Sequence, residues 1–327
     1  MLTDKKISVV VVCYRDAGSI HELCRKVKDM LEKITPHYEI IYVNDASPDN
    51  AEEILVTLAQ TEPSLTVITH SRNFGAQVAF TSGLWQSDGD ATVIMDGDMQ
   101  DPPELIYDFV QKWLEGYSVV YGIRAKRQEA WWRRIGYKFF YRLFREMASF
   151  DVPLDAGEFS LMDKKVVDVI LACRERNRLI RGLRAYAGFR QIGIPFVRPK
   201  RFSGESTQGF TDYINWAIRG LISFSVKPLK FISLLSFMIT VLTVFAMALY
   251  FILYLFGTAP TGFMTLLLII LFLGAVQLFC FSIIAEYLAQ IFEEIKFRPM
   301  NIVKHVVNDH RKIPRHWLGN EGSSSAQ

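Results

Sequence analysis

The chain has 327 residues, half of them hydrophobic, and a formal net charge of +3 at pH 7. This length exceeds one ordinary domain. The cysteines are scattered and form no C-x-x-C pair, so the composition implies neither a disulfide framework nor a zinc site and agrees with a reducing cytosol. They are Cys13, Cys24, Cys173 and Cys280.

Predicted strands and helices alternate along the first part of the chain. Apolar runs bounded by turn residues indicate strands at 7–14, 38–44, 65–70, 91–95 and 118–123. Helices are predicted between them at about 18–34, 51–60 and 74–86, with another that begins at Pro103. Such alternation is typical of an α/β fold with a parallel sheet and helices on both faces.

The loop after the first strand lacks the common nucleotide-binding patterns. It reads Cys13-Tyr-Arg-Asp-Ala-Gly18 rather than G-x-G-x-x-G, and the chain has no G-x-x-x-x-G-K-[ST]. Because ligands bind at the carboxyl ends of parallel strands, the carboxylates that follow the strands mark the expected site. They are Asp16, Asp45, Asp49, Asp96 and Asp98. For Asp45 and Asp49, turn formation and capping of the helix at Ala51 are an equally open explanation.

The segment from Val93 to Glu104 is the most informative about chemistry. An apolar strand delivers Asp96 and Asp98 to its end, and Pro102-Pro103 then stops the strand. Two carboxylates at this spacing can reach one divalent ion, and oxygen ligands suit Mg²⁺ or Mn²⁺. A solvated acidic turn is the alternative, but the strand before the carboxylates and the prolines after them favour a site.

An uncharged span in the last third of the chain predicts membrane insertion. No Lys, Arg, Asp or Glu occurs from Phe231 to Ala285, and two apolar stretches lie at 229–256 and 263–285. Each exceeds the roughly 20 residues that cross a bilayer, which favours a transmembrane hairpin over a pair of buried core helices. Basic residues flank the two stretches but not the turn between them. The positive-inside rule therefore predicts a multi-pass protein of the inner (plasma) membrane with both termini in the cytoplasm.

Amphipathic segments are expected beside this hairpin. At about 130–150, Trp131 and Ile135 begin an apolar row with a spacing of four, opposite Arg134 and Lys138. This pattern favours a helix in the membrane interface over one that packs on the sheet. The predicted organisation is a cytoplasmic domain at 1–210, a juxtamembrane amphipathic helix at 211–228, transmembrane helices at 229–256 and 263–285, and a cytoplasmic C-terminal helix and tail at 286–327.

Six short runs along the chain form one pattern. They are Asp45-Ala-Ser-Pro-Asp49, Ser71-Arg-Asn-Phe-Gly75, Asp96-Gly-Asp-Met-Gln-Asp-Pro-Pro-Glu104, Asp155-Ala-Gly-Glu-Phe159, Arg201-Phe-Ser-Gly-Glu-Ser206 and Glu293-Glu-Ile-Lys-Phe-Arg-Pro299. In this order they resemble the polyisoprenyl-phosphate glycosyltransferases, a group within the inverting glycosyltransferase family 2. The resemblance implies a GT-A, Rossmann-like, mostly parallel sheet flanked by helices, with interfacial amphipathic helices and a two-helix transmembrane hairpin.

The resemblance also implies roles for individual residues. The catalytic residues would be Asp98, Gln100, Asp155 and Glu158, and Asp98 and Asp96 would bind Mg²⁺ or Mn²⁺. The donor nucleotide would contact Tyr14, Asp16, Asp45, Asn73 and Asp96. The acceptor phosphate would contact Arg124, Arg127, Arg201 and Ser206. Ser160 and Thr207 depart from the pattern, because many relatives have Arg and Lys there, and both changes remove a cation from the region expected to bind phosphate.

The implied reaction transfers a hexose from a nucleotide sugar, UDP-glucose first of all, to the phosphate of undecaprenyl phosphate, in lipopolysaccharide or cell-envelope glycosylation. Basic runs at 124–145 and 174–201 suit an anionic lipid or a phosphorylated partner rather than nucleic acid. The alternatives are the same chemistry with GDP-mannose or another UDP-sugar, and a membrane-tethered scaffold that binds a nucleotide sugar without turnover. The amphipathic segment 286–294 leads us to expect a homo-oligomer.

Overall fold

The computed structural model describes residues 1–124, 156–199, 227–256 and 262–309. The expected interfacial helix at 130–150 and nearly all of the juxtamembrane segment 211–228 lie outside the described residues. So do four expected site residues and one of the two departures from the family pattern. These are Arg127, Asp155, Arg201, Ser206 and Thr207.

One mixed sheet organises the described residues. Its strands are β1 (Ile7–Cys13), β2 (Tyr38–Asn44), β3 (Leu65–His70), β4 (Ala91–Asp96), β5 (Val119–Arg124), β6 (Ala156–Asp163), β7 (Gln191–Phe196) and β8 (Val303–Val307). The order across the sheet is β7-β5-β6-β4-β1-β2-β3-β8. The pairs β1–β2, β1–β4, β2–β3 and β5–β7 are parallel, and β4–β6, β5–β6 and β3–β8 are antiparallel. The expected mostly parallel, GT-A-like sheet is confirmed.

Helices cover both faces of this sheet. They are α1 (Ile20–Ile34), which follows a 3-10 turn at Ala17–Ser19, then α2 (Ala51–Thr61), α3 (Ala76–Gln86), α4 (Leu105–Leu114), α5 (Lys164–Ala172) and α6 (Ile180–Tyr186). Helices α1, α2 and α4 share one hydrophobic core with alternate residues of the strands. Helices α3 and α5 lie on the other face. Gly83 lets α3 approach β1 closely, because a Cβ at that position would lie 2.1 Å from Val10 Cγ1.

The bounds of the first strands and helices agree closely with those predicted from the sequence, but the strands that pair with distant parts of the chain were not predicted. Strands β2 and β3 have their predicted bounds, and β4 extends one residue further, to Asp96. The predicted helix at 74–86 begins only at Ala76, because the backbone of Gly75, with φ 95° and ψ 152°, is not helical. Strands β6, β7 and β8 were not predicted. All three pair with strands far away in the chain, and β7 and β8 are short strands at the edges of the sheet, so they have little local signature.

The last two helices form a unit separate from the sheet. They are α7 (Lys227–Leu255) and α8 (Phe263–Ile295), and both are long and apolar enough to cross a membrane, over Leu229–Leu253 and Ile269–Ile295. Almost none of the residues in these windows are buried, so a pair of buried core helices does not describe them. The segment 286–294 is the last part of α8 rather than a separate helix.

Candidate active site

The register of the central strands places their carboxyl ends at one edge of the sheet. Cys13 lies opposite Asn44, and Val12 lies opposite Asp96. On the other side of β2, Asn44 lies opposite Thr69. The loops that leave β1, β2, β3 and β4 therefore start side by side, at the edge where ligands bind in open α/β sheets.

The Asp-Gly-Asp turn after β4 is held against the end of β1. Gly97 donates its N–H to Val12 O at 2.8 Å, and Ser19 Oγ donates to Gly97 O at 2.6 Å. A Cβ at Gly97 would lie 2.7 Å from Val12 O, so a side chain does not fit there. The glycine between the two carboxylates is thus required by the close approach of two strand ends, and it determines where Asp98 lies.

Three non-glycine residues in these loops have a left-handed backbone. Arg15 after β1, Ala46 after β2 and Met99 after β4 have φ angles of 62°, 51° and 62°. This conformation is unfavourable for residues with a Cβ, and it persists only where surrounding contacts impose it. The loops at this edge are therefore held in defined shapes at some conformational cost, as is common at functional sites.

A compact cluster at the end of β4 consists of four charged residues, Asp96, Asp98, Asp101 and Arg198. Asp98 is 4% exposed, its Oδ1 accepts from the Gln100 N–H at 3.0 Å, and its Oδ2 lies 3.8 Å from Arg198 Nη2. Asp101 Oδ2 accepts from the Asp96 N–H at 3.1 Å, whereas its buried Oδ1 has no hydrogen-bond partner among the described residues. Among the described residues, Arg198, which is absent from the expected site residues, is a cation in contact with this acidic group.

Two carboxylates of this cluster, Asp96 and Asp101, have raised pKa values. Desolvation, followed by the charges of Asp101 and Asp98, raises the pKa of Asp96 to about 8. Burial raises the pKa of Asp101 to about 6, although the hydrogen bond from the Asp96 N–H works in the opposite direction. An acidic group that is short of positive charge fits a divalent ion. No three His, Cys, Asp or Glu side chains converge as ligands in the described ranges, so substrate phosphates and water would complete the coordination.

We expect metal affinity to increase with pH, because a divalent ion must displace the proton from Asp96. Below pH 8 the affinity for Mn²⁺ should rise by up to about tenfold per pH unit if one proton is released. The raised pKa of Asp96 also affects the metal-free protein. Because the folded state holds the Asp96 proton more tightly than the unfolded state does, the stability of the metal-free protein should decrease as the pH rises towards 8. Calorimetric Mn²⁺ titrations at pH 6, 7 and 8, in buffers of different ionisation enthalpy, count the protons. An affinity independent of pH would contradict the expectation.

Asp45 and Asp49 organise the loops around them. The Asp45 carboxylate is buried and accepts from the N–H groups of Phe74 at 2.9 Å and Gly75 at 2.7 Å. Asp49 accepts from the Ala51 N–H at 3.2 Å and, through its other oxygen, from the Ala17 N–H at 3.1 Å. Asp49 therefore caps the start of α2, which is one of the two explanations that the sequence left open. Asp45 holds the start of α3 rather than α2, and its contact with a donor nucleotide stays a prediction.

The other donor-side residues lie around the same edge. Tyr14 donates its N–H to Asp16 Oδ2 at 3.4 Å, in the loop after β1. Asn73 is exposed in the loop after β3. Gln100 Nε2 donates to Pro199 O at 3.3 Å, which links the Asp-Gly-Asp turn to the segment after β7. The fold thus brings the described residues that were expected to bind the donor and the metal to one edge, although four different loops carry them.

On the acceptor side, the pairing of β5 with β7 brings two arginines together. Arg124, the exposed last residue of β5, pairs in register with Phe196, two positions before Arg198. Desolvation, followed by the charge of Arg124, lowers the pKa of Arg198. The sequence showed only that Arg198 belongs to a basic run. The pairing of β7 with β5 is what brings Arg198, rather than another arginine of that run, close to Arg124. The structure places both arginines next to the acidic cluster.

A buried arginine contacts Ser160, the first of the two expected departures from the family pattern. Arg184 on α6 is 2% exposed and donates to Ser160 Oγ, to Glu158 O at 3.3 Å and to Gly157 O at 3.1 Å. Desolvation lowers its pKa to about 10, which leaves it charged at neutral pH. A cation on α6 therefore contacts β6 at Ser160. It holds the backbone of the strand that carries Glu158.

Comparison with known proteins shows the family of this chain. Residues 8–171 match the family described as Glycosyl transferase family 2. The uncharacterized glycosyltransferase YkcC of Bacillus subtilis is 37% identical over 299 residues, covering 91% of this chain and 93% of that protein. The SfII prophage-derived bactoprenol glucosyl transferase of Shigella flexneri is 31% identical over 317 residues, covering 94% of this chain and 100% of the relative.

Among solved structures, a mannosyltransferase from Pyrobaculum calidifontis in complex with GDP-Man and Mn²⁺ aligns with a TM-score of 0.45 at 21% sequence identity. The alignment covers 66% of this chain and 61% of that chain. The family match includes β1 to β4, the loops at their carboxyl ends and the Asp-Gly-Asp turn. The chain therefore belongs to glycosyl transferase family 2 and is a glycosyltransferase.

Proposed function

We propose that this glycosyltransferase transfers a hexose from a nucleotide sugar, UDP-glucose first of all, to the phosphate of a polyprenyl phosphate such as undecaprenyl phosphate. The observation that carries the proposal is the ion pair between Asp98 and Arg198, 3.8 Å apart, beside a second carboxylate, Asp96, and a second arginine, Arg124. The two carboxylates suit the metal ion of a nucleoside diphosphate, and the two arginines suit the phosphate of the acceptor. The bactoprenol glucosyl transferase among the relatives supports the lipid acceptor.

In the proposed reaction an oxygen of the acceptor phosphate attacks the anomeric carbon of the donor sugar. The new carbon–oxygen bond forms as the bond to the diphosphate breaks, and the nucleoside diphosphate leaves with the electron pair. Phosphate is an anion at neutral pH, so no general base has to remove a proton. One displacement inverts the anomeric centre, and an α-linked donor gives a β-linked lipid product.

The described residues would act through position and charge. Asp98 and Asp96 would hold Mg²⁺ or Mn²⁺, which supplies positive charge to the departing diphosphate. Arg124 and Arg198 would hold the acceptor phosphate through charge-assisted hydrogen bonds, together with Arg127, Arg201 and Ser206 from outside the described ranges. Gln100 would stand near the donor sugar, and Glu158 and Asp155 would border the place where sugar and acceptor meet. Tyr14, Asp16, Asp45 and Asn73 would surround the nucleotide.

The apolar helices suggest how a soluble donor meets a lipid acceptor. In the proposal α7 and α8 form a hairpin in the inner (plasma) membrane, with the sheet unit and both termini on the cytoplasmic side. Lys227 and Lys230 before the first span and Lys296 and Arg298 after the second support this orientation. The acceptor then stays in the bilayer, and only its phosphate has to reach the strand ends. We include a homo-oligomer in the proposal, to be tested by light scattering after gel filtration.

The test is turnover by the purified full-length protein in lipid nanodiscs. The protein is incubated with undecaprenyl phosphate, Mn²⁺ or Mg²⁺ and a panel of UDP- and GDP-sugars, and nucleoside diphosphate release is measured. We expect release that requires the lipid and one preferred donor, with a β-linked product by NMR. Nucleotide-sugar binding without release from any donor would contradict the proposal and favour the scaffold. A preference for GDP-mannose would correct the donor and leave the chemistry unchanged.

A further inference from the structure

A buried polar network joins the segment before β8 to the end of β3. His70 Nδ1 lies 2.8 Å from Asp45 Oδ1, and His70 Nε2 lies 2.9 Å from Ser82 Oγ. Asn301 Nδ2 donates to Ser82 Oγ and lies 3.2 Å from His70 Nε2. None of the four side chains is more than 3% exposed. Asn301 and His70 are 231 positions apart in the sequence, so the contact is a product of the fold.

The hydrogen bonds of this network have a consistent direction. A carboxylate only accepts, so His70 Nδ1 donates to Asp45. An amide NH₂ group only donates, so His70 Nε2 accepts from Asn301. Asp45 thus fixes the His70 proton on Nδ1, and Asn301 donates to the lone pair that remains on Nε2. Loss of the amide leaves Ser82 and His70 with one donor fewer in a place that water does not reach.

Asp45 connects this network to the loop after β3. Its carboxylate holds the N–H groups of Phe74 and Gly75, and the Phe74 ring packs edge-on against His70 with centroids 5.5 Å apart. The residue after Asn301 holds the other end of the loop, because Ile302 O accepts from the Ser71 N–H at 2.9 Å. The loop 71–75 is thus held through Asn301 at one end and through its neighbour at the other.

We infer that Asn301 is a positioning residue for the donor nucleotide and acts through His70 and Asp45 on the loop 71–75. The inference rests on the proposed function, in which Asp45 and Asn73 surround the nucleotide. The segment that follows α8 is therefore part of the donor site as well as an edge of the sheet. Asn301 touches neither donor nor acceptor, so its effect should appear in donor binding and not in the chemical step.

The test compares Asn301→Ala with the parent in the full-length protein. We expect the KM for the nucleotide sugar, and the Kd for UDP or GDP measured by calorimetry, to rise about five- to tenfold. The values of kcat and of KM for the lipid should stay within about twofold. Ser82→Ala should weaken donor binding as well, and the double variant should be little worse than either single variant because both remove parts of one network.

Asn308→Ala is the matched control. Asn308 Nδ2 also donates from the C-terminal segment, to Ala59 O at 2.6 Å and Leu65 O at 3.0 Å, but it does not contact the network. With φ at 56°, an alanine there adds strain, so the control tests lost stability. Parental donor binding in folded Asn301→Ala, or an equal loss in Asn308→Ala, would overturn the inference. If Asn301→Ala does not fold, Ser82→Ala decides by the same criteria.

The two proposals can fail separately. If the parent binds UDP or GDP but transfers no sugar, the proposed function fails, and the nucleotide Kd values of the variants still decide the role of Asn301. If the parent transfers sugar and Asn301→Ala binds donor as the parent does, only the role of Asn301 fails. If the parent binds neither nucleotide, both are overturned.

Discussion

Asp98→Asn should reduce lipid-dependent release of nucleoside diphosphate by on the order of 10³-fold or more. Asparagine keeps the size of the side chain and an oxygen that can accept from the Gln100 N–H, as Asp98 Oδ1 does at 3.0 Å. It removes the charge that would hold the ion and, through the ion, the departing diphosphate. The loss should appear in kcat, because charge on the leaving group develops mainly in the transition state. Calorimetric Mn²⁺ binding should weaken in parallel.

Asp108→Asn is the matched control for this substitution. It makes the same chemical change on the exposed face of α4 and should leave both activity and Mn²⁺ binding unchanged. The thermal stability of Asp98→Asn should equal or exceed that of the parent, because the substitution removes a negative charge from a crowded acidic group. Full activity in folded Asp98→Asn would remove Asp98 from the metal site. Inactivity with parental Mn²⁺ binding would assign it another role.

The second large effect is expected for Arg184→Met, and it concerns stability first. Methionine fills a similar volume but donates no hydrogen bond, so Ser160 Oγ and Gly157 O lose this donor, while Glu158 O keeps the one from Ser160 Oγ at 2.8 Å. Each buried acceptor left without a partner costs about 1–3 kcal/mol, so the total should be about 2 kcal/mol or more. For a domain of this size that corresponds to roughly 4–8 °C in Tm. Differential scanning fluorimetry of the purified protein measures it.

Arg190→Met is the control that distinguishes the loss of the Arg184 hydrogen bonds from the loss of an arginine side chain in general. Arg190 is exposed, and its guanidinium lies 4.1 Å from the centroid of the Tyr117 ring, a contact worth about 1 kcal/mol or less. Its variant should therefore remain within a few degrees of the parent. An unchanged Tm in Arg184→Met would mean that the β6 backbone does not depend on the guanidinium. Below its melting temperature, Arg184→Met should also lose activity, because the strand that it supports carries Glu158.

Local structure was readable from the sequence because its causes are local. The strands β1 to β4 are short, mostly apolar runs, and a run buried on both faces has few alternatives in a parallel sheet. The Asp-Gly-Asp turn was recognisable for the same reason, since strand, glycine and carboxylates lie within a few adjacent residues. The two apolar spans needed only length and the absence of charge. The outcome for Asp45 was different, because a carboxylate after a strand can cap a helix, bind a ligand or hold a loop.

The sequence alone therefore determined the family, the alternation of strands and helices, the carboxylates at the strand ends and the presence of two helices of membrane-spanning length. The tertiary structure decided which cations meet those carboxylates, and what holds their loops. Arg198 reaches Asp98 only because β7 pairs with β5, and Arg184 supports β6 only because α6 lies against that strand. Asn301 reaches His70 from the far end of the chain. Contacts between distant residues depend on the packing of whole elements, and no residue carries that information in its immediate neighbours.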